Sequence, residues 1–588
     1  MREIYNKNLK LLEAIDEVLY NEIINSNNKS AYLERSLSGK LNIVKKHKGK
    51  KYRIYSRVDP MEMAEYISNN AFSEDADIIF IFGLGLCYEL KKMIEKDKER
   101  IYIIIEPDED IFKVMLENVD IGFMINSPYD IGLYVGKDLG RIMGIFENAI
   151  KELKSLKIKF VILPAYKAIY YSLYKKIMEG LRRKLSRYIF NINSINSSDK
   201  TWYRNYIKNI FYIKDTCPVK VLNEEFEGVP AVICAAGPSM SYHIKKLKEI
   251  KDNVLIASVG TGITVLESNG IKAHIAGAMD GNESEGKLFE KLVLNKDVNL
   301  FYSLQVDNKV LEYTGKHKFL MNQTNMDSYV SKCFKWDTYS KFSGTSIANV
   351  MAENLAKLGC NPIIFLGQDL CYSRNKNYAE GAIFHSEISD DQLKNSADFI
   401  KVKNNKGEDV YTKQAFISMK DVMERVVALN PNTKFFNSSE DGLNIRGAEN
   451  INFDDYYDEK LSNLPKKNFS NEIRYLHNYA ICENINNGFI NDFFKELKET
   501  LNIIIRICEN MVNLIQSDYE VGVKRIYIKN FEEQLNKISF YTEVLKFSVE
   551  NIEFLAPKSY LERKLNVYLY VLDKCHIMLN NMREEVDF

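Results

Sequence analysis

No two of the nine cysteines form a Cys-x-x-Cys pair, and none joins histidines at zinc spacing, which argues against zinc-ribbon and dithiol redox classes. The thiols read as reduced and mostly buried. Long apolar runs are missing too: no window reaches the roughly 18 to 20 uncharged apolar residues of a membrane span, and the first residues mix acidic with apolar side chains. The expectation is a cytoplasmic protein with no membrane partner. Charge of one sign is also lacking, with 80 Lys and Arg against 80 Asp and Glu, which argues against a general nucleic-acid binder. The basic stretch of Arg182, Arg183, Lys184 and Arg187 reads as a solvated helix face. Proline is scarce at 11 residues, while 46% of the chain is hydrophobic and 27% charged, the composition of a folded soluble protein. At 588 residues the chain exceeds one ordinary core, so about three domains are expected.

What the sequence does hold centres on residues 229–240, Val-Pro-Ala-Val-Ile-Cys-Ala-Ala-Gly-Pro-Ser-Met. Residues 231–235 form a short apolar run between Pro230 and Gly237, the signature of a buried parallel strand. Gly237-Pro238-Ser239 turns the chain, and Ile244, Leu247 and Ile250 then recur at helical spacing. A helix opening there aims unpaired N–H groups over the strand end and favours an anion. The same turn also serves plain strand-to-helix packing.

Upstream, Ile78 to Phe82 leads into Gly83-Leu84-Gly85, and a second strand over 101–105 ends at Glu106-Pro107-Asp108. This is half of a Rossmann-like unit, and an acidic residue closing the second strand often holds a ribose. The third glycine of the dinucleotide fingerprint is absent, so the turn is expected to be structural. A strand over 160–163 and helices over 166–212 complete this part, and Cys217-Pro218 marks the predicted boundary. Strands are then predicted over 231–235, 254–259, 273–279, 300–304 and 362–366, with helices over 240–250 and 263–268, the rhythm of a parallel sheet. Ile347, Met351, Leu355 and Leu358 form one helix face that Gly359 ends. From about residue 464 the pattern becomes helical, with Leu497, Leu501, Ile504, Cys508, Met511 and Ile515, and again Leu561, Leu565, Tyr568, Leu572, Cys575 and Leu579, in two apolar stripes. The predicted fold class is α/β: a smaller N-terminal α/β domain over 1–217, a central Rossmann-type parallel sheet over 218–463, and a C-terminal helical bundle over 464–588.

Ligands of open parallel sheets sit beyond the carboxyl ends of the strands. The polar groups that collect there are Ser239, Gly260, Thr261, Asp280, Ser343, Gly344, Thr345, Gln368 and Asp369, with Tyr372, Tyr378 and His385 in the loop that follows. Each alone fits a helix cap or a strand end. Their recurrence at equivalent strand ends points to a nucleotide site. No metal-ligand set is visible, and a divalent cation is optional.

Ala236-Gly237-Pro238-Ser239-Met240, Leu266 to Ile271, Asp280, Ser343-Gly344-Thr345-Ser346 and Ile363 to Leu370 together resemble the motility accessory factor (Maf) proteins. That family comprises flagellin glycosyltransferases with a domain also found in archaeal-type pterin pyrophosphokinases. The resemblance implies transfer of a nonulosonic acid, of pseudaminic or legionaminic type, from a CMP-activated donor to Ser or Thr of flagellin. The core is also similar to bacterial CMP-sialic-acid transferases, which implies a sialyltransferase-like central domain. In those enzymes two tyrosines six residues apart assist the departing phosphate, as Tyr372 and Tyr378 are spaced here. A histidine base is expected near residues 409–413, where this chain has Asp-Val-Tyr-Thr-Lys.

On that resemblance, Gly237, Pro238, Ser239, Gly260, Thr261, Ser343, Gly344, Thr345 and Gln368 bind the donor. Backbone N–H groups at 237–239 and 343–345, with Tyr372 and Tyr378, meet the leaving group, each such donor being worth about 2.7 to 4 kcal/mol. Asp369 or Asp280 orients donor or acceptor, and His385 or Asp409 serves as base. No cofactor beyond the CMP-sugar is required. Two other readings stay open: a pterin pyrophosphokinase, and a non-enzymatic flagellar assembly factor that uses its helical region.

Overall fold

The central strands of the two parallel sheets form where β-branched and other apolar residues run uninterrupted for four or five positions, as in Ile78–Phe82 and Ile363–Leu366. The computed structural model describes residues 2–585 apart from 26–29, 73–75, 97–99, 126–130, 154–155, 224, 251, 343, 397, 485–486 and 553–559. The chain folds as two compact units, Met1–Asn193 and Ser194–Ile552 with Ala556–Phe588.

In the first unit, β1 (Ala31–Arg35), β2 (Leu41–His47) and β3 (Lys50–Arg53) make an antiparallel sheet. Strands β4 (Ile78–Phe82), β5 (Ile101–Glu106), β6 (Ile131–Val135) and β7 (Ile158–Ile162) make a parallel sheet in the order β6-β5-β4-β7. All five residues of β4 are buried, as expected for a central strand covered on both faces.

The second unit is built on nine parallel strands: β8 (Thr216–Pro218), β9 (Ala231–Cys234), β10 (Leu255–Val259), β11 (Ile275–Ala278), β12 (Asn299–Tyr302), β13 (Lys318–Leu320), β14 (Ile363–Leu366), β17 (Phe435–Ser438) and β18 (Glu449–Asn450). A hairpin of β15 (Ile400–Lys403) and β16 (Asp409–Thr412) lies outside this sheet. The sheet order is β18-β17-β14-β9-β10-β11-β12-β13-β8. Strand alternation divides its side chains between two cores. Val232, Cys234, Ile256, Ala276, Ile364 and Leu366 enter one core together with helical residues such as Leu497, Leu501, Ile504 and Tyr568. Ala231, Ile233, Leu255, Ala257, Ile363 and Phe365 enter the other with Ala348, Met351 and Leu355 of the helix Ile347–Lys357.

Two boundaries differ from the sequence reading. The helix Tyr171–Ile210 supplies Ile177 and Leu181 to the first unit's core and Tyr203, Tyr206, Ile207 and Ile210 to the second's, so the division falls inside a continuous helix. Cys217-Pro218 is no linker, because β8 hydrogen-bonds to β13 at the sheet's edge. The helices after residue 464, including Asn487–Gln516 and Tyr560–Glu585, share a core with the sheet and belong to the second unit. Among the described residues no helix is long and apolar enough to cross a membrane.

Candidate functional site

The strand order reverses at β9. From β9 the sheet grows through β10 to β13 on one side, and β14 lies on the other, which makes the carboxyl ends of β9 and β14 the switch point at which sheets of this kind form a ligand crevice. The loops from these strands touch backbone to backbone: the Gly237 N–H donates to the Gly367 carbonyl at 2.7 Å. A Cβ on Gly237 would stand 2.5 Å from that oxygen and 2.6 Å from Cγ of Asp369, so only glycine permits the approach.

Asp369 is 2% exposed. Its carboxylate accepts the Ser239 N–H at 2.9 Å, the Ser239 hydroxyl, and the Ser373 hydroxyl at 3.2 Å. Burial pushes this carboxyl above the usual range, and the bonds from Ser239 oppose that rise. Asp369 therefore locks the Gly-Pro-Ser turn to the loop that follows β14. Gln368 is buried beside it and donates its N–H to the Ser439 hydroxyl at 2.9 Å.

This locking corrects one expectation. The N–H groups at 237–239 were to face an anion, yet those of Gly237 and Ser239 are spent on Gly367 and Asp369, and proline has none. The next three, on Met240, Ser241 and Tyr242, bond to the carbonyls of residues 237, 238 and 239 in a tight first turn. Donors remain instead at the neighbouring loop. Thr345 and Ser346 hold Asn349 Oδ1 at 3.1 and 2.9 Å, and Ser346 caps the helix Ile347–Lys357. Among the described residues no acceptor meets the N–H groups of Thr345, Ile347 and Ala348. Ser343 lies outside the described residues. Gly260, at φ +51°, stands beside Ile347, its Cβ position 3.6 Å from that side chain, which puts Gly260, Thr261, Gly344 and Thr345 at the same end of the sheet as Pro238, Ser239 and Asp369.

The other candidates are more dispersed. Asp280 is exposed at the end of β11 and accepts from Asn282 N and Nδ2 at 3.1 and 2.8 Å. Its neighbour Glu285 is buried, and its carboxyl is pushed up to about 8 by that burial, then by the charge of Asp280. Tyr372 packs its ring against Phe399 and Phe416, with centroids 5.2 and 5.5 Å away. Tyr378 packs against the core that holds the helical residues, and its carbonyl is 2.8 Å from His385 Nδ1. A carbonyl only accepts, so Nδ1 carries the proton and Nε2 of the neutral ring keeps its lone pair. Asp409 is exposed and bound by Lys401 and Lys403, which lower its carboxyl to about 2.

Sequence reasoning missed a cluster beside Asp369. Tyr242 donates to Asp441 at 2.8 Å, Arg374 Nε approaches the same carboxylate at 3.2 Å and lies over the Tyr242 ring, and Lys406 binds its other oxygen at 2.8 Å. The loop bearing Arg374 holds three non-glycine residues at positive φ, Leu370, Arg374 and Asn375 at +56°, +53° and +58°. Such strain gathers at functional sites. No sequence signal pairs residues so far apart in the chain. Among the described residues no group of three or more His, Cys, Asp or Glu is placed to hold a metal ion.

The glycine turn of the first unit is filled by the protein itself. A Cβ on Gly83 would stand 2.5 Å from the Tyr166 ring, and one on Gly85 would stand 2.5 Å from the Tyr55 hydroxyl. Glu106 is fully buried and accepts from Leu84 N, Asp108 N and the Tyr166 hydroxyl at 2.8, 2.9 and 2.5 Å.

Residues 204–375 match the family described as 6-hydroxymethylpterin diphosphokinase MptE-like. No curated protein matches the chain. Among solved structures, a MAf glycosyltransferase from Magnetospirillum magneticum AMB-1 is similar with a TM-score of 0.57 and 15% identity, covering 99% of this chain and 96% of that one. At that identity the likeness is one of fold, and it confirms the α/β class with a large parallel sheet and C-terminal helices.

Proposed function

We propose that this protein is a glycosyltransferase that moves a nonulosonic acid, of legionaminic or pseudaminic type, from CMP to Ser or Thr of flagellin in the cytoplasm. The observation that carries the reading is the likeness of fold to a MAf glycosyltransferase over nearly the whole of both chains. The switch point supports it, since the N–H groups of Thr345, Ile347 and Ala348, which meet no acceptor among the described residues, stand near Gly260 at the same end of the sheet as Ser239 and Thr261.

Transfer from a CMP-sugar requires that the phosphate be held as it departs, the sugar be oriented, and a hydroxyl be deprotonated on the opposite face. Donors at Gly344 and Thr345 with the Tyr372 and Tyr378 phenols meet the growing charge. Asp369 acts through Ser239. His385 takes the acceptor's proton on Nε2, the nitrogen that the Tyr378 carbonyl leaves free. Asp280 lies two strands from β9, on the acceptor side of this scheme. A divalent cation is optional here.

A second reading, a pterin diphosphokinase-like phosphotransferase, is favoured by the family match over 204–375. Thermal denaturation with millimolar CMP or a hydroxymethylpterin separates the two, since ligand at 100 times its dissociation constant adds about 2.7 kcal/mol. A shift with CMP, and flagellin gaining the mass of one sugar after incubation with CMP-nonulosonic acid, is the expected result. A shift with the pterin alone would sink the glycosyltransferase reading, and an unmodified flagellin beside a protein that binds neither ligand would favour an assembly factor.

A further inference from the structure

The hairpin β15–β16 and its flanks carry a series of lysines, and their partners differ in one informative way. Lys401 and Lys403 both hold Asp409, at 2.8 and 2.6 Å. Lys406 holds Asp441 at 2.8 Å, and Lys420 holds Glu424. Lys413 has no carboxylate partner among the described residues. Its ammonium rests instead over two aromatic faces, 4.9 Å from the Phe399 ring centroid and 5.6 Å from that of Tyr372. Ring quadrupoles orient a cation without cancelling its charge.

The fold ties this cation to the crevice loop by independent contacts. The Thr412 hydroxyl donates to the Leu370 carbonyl at 2.7 Å, and the Tyr372 N–H donates to the Tyr411 carbonyl at 2.8 Å. Tyr372 also packs on Phe416, in the first turn of the helix Gln414–Leu429. Lys413 is thus the residue before that helix, on a hairpin end bonded directly to the segment that follows Asp369. An unneutralised, half-buried, oriented cation placed there is complementary to an anion.

We propose that Lys413 binds the phosphate of the nucleotide donor and remains on it as it departs. The proposal rests on the glycosyltransferase reading. In the step, the bond from the anomeric carbon to the phosphate oxygen breaks and its electron pair stays on that oxygen. The acceptor hydroxyl oxygen bonds to the same carbon, and its proton passes to the base. The phosphate moves from a diester with one negative charge to a monoester with nearly two, so a fixed ammonium favours the departed state.

The test measures CMP and cytidine binding to the full chain by calorimetry, for the wild type, Lys413→Met and Lys413→Arg, with melting temperatures alongside. CMP affinity is expected to fall about tenfold or more in Lys413→Met, the usual scale for a lost charge-assisted contact, with cytidine affinity unchanged. Lys413→Arg should recover most of the loss. Should Lys413→Met fail to fold, Lys413→Gln replaces it. Equal CMP affinity in the wild type and Lys413→Met overturns this proposal and leaves the glycosyltransferase reading standing. Equal losses for CMP and cytidine show a structural part only and also overturn it. A wild type that binds no CMP overturns both.

Discussion

Replacing Gly237 with alanine tests whether the close approach of the β9 and β14 loops organises the crevice. The added methyl would stand 2.5 Å from the Gly367 oxygen, where ordinary contact begins at 3.4 Å, so about 0.9 Å must be found. Neither neighbour yields cheaply, since one is backbone and the other is the buried Asp369 carboxylate. Overpacking of this kind costs about 1 to 3 kcal/mol. Parting the loops also weakens the Gly237 N–H to Gly367 bond and strains the Ser239 to Asp369 pair, which adds about 1 to 3 kcal/mol. The expected loss is about 2 to 6 kcal/mol, with CMP affinity reduced because Ser239 moves. Gly260→Ala is the control: its φ of +51° imposes strain of about 1 to 2 kcal/mol, but its Cβ would meet nothing nearer than Ile347 at 3.6 Å. Urea denaturation of both variants reads the stabilities, and a nucleotide titration reads the site. If Gly237→Ala unfolds at the wild-type midpoint, or if Gly260→Ala is the worse of the two, the contact argument is wrong.

Gly83→Ala in the first unit should destabilise that unit by about 2 to 4 kcal/mol, since it combines φ +96° with a collision against the Tyr166 ring, while nucleotide affinity stays at the wild-type value; a folded variant that has lost the nucleotide would place a site in the first unit. The first unit should also lose stability as pH rises, because burial holds Glu89 at about 7 and Glu106 at about 8 against an ordinary 4.5. A carboxyl raised on folding binds its proton more tightly in the native state, so its contribution is complete below the unfolded value and declines up to the folded one. Melting temperature plotted from pH 5 to pH 8 should therefore fall, and less steeply in Glu106→Gln; parallel curves would refute the assignment.

Much of the scaffold is legible in the sequence because its signals are local. The apolar runs at 78–82, 101–105, 231–235, 254–259 and 362–366 became β4, β5, β9, β10 and β14 with shifts of one residue or none at each end. Gly359 ends the helix Ile347–Lys357 at φ +87°, as a residue without Cβ allows. The stripe from Leu497 to Ile515 is buried throughout. Strands β8, β13 and β18 escaped notice because two or three residues carry no period, and partner strands define them through hydrogen bonds.

For the site, local pattern was enough to show which polar residues stand at the carboxyl ends of a parallel sheet, since strand, turn and helix alternate within short spans. What those residues touch depends on packing between elements distant in the chain. Asp369 turns inward to Ser239 because burial leaves it no water to face, and that contact consumes donors a local reading would have left for a ligand. Tyr55 and Tyr166 fill the first glycine turn from distant positions, and the hairpin brings Lys413 onto Tyr372 across a loop that no spacing rule spans. Hydrogen bonds and ring contacts between residues remote in the chain depend on how the elements pack, and pattern along the sequence encodes the elements more directly than it encodes their meeting.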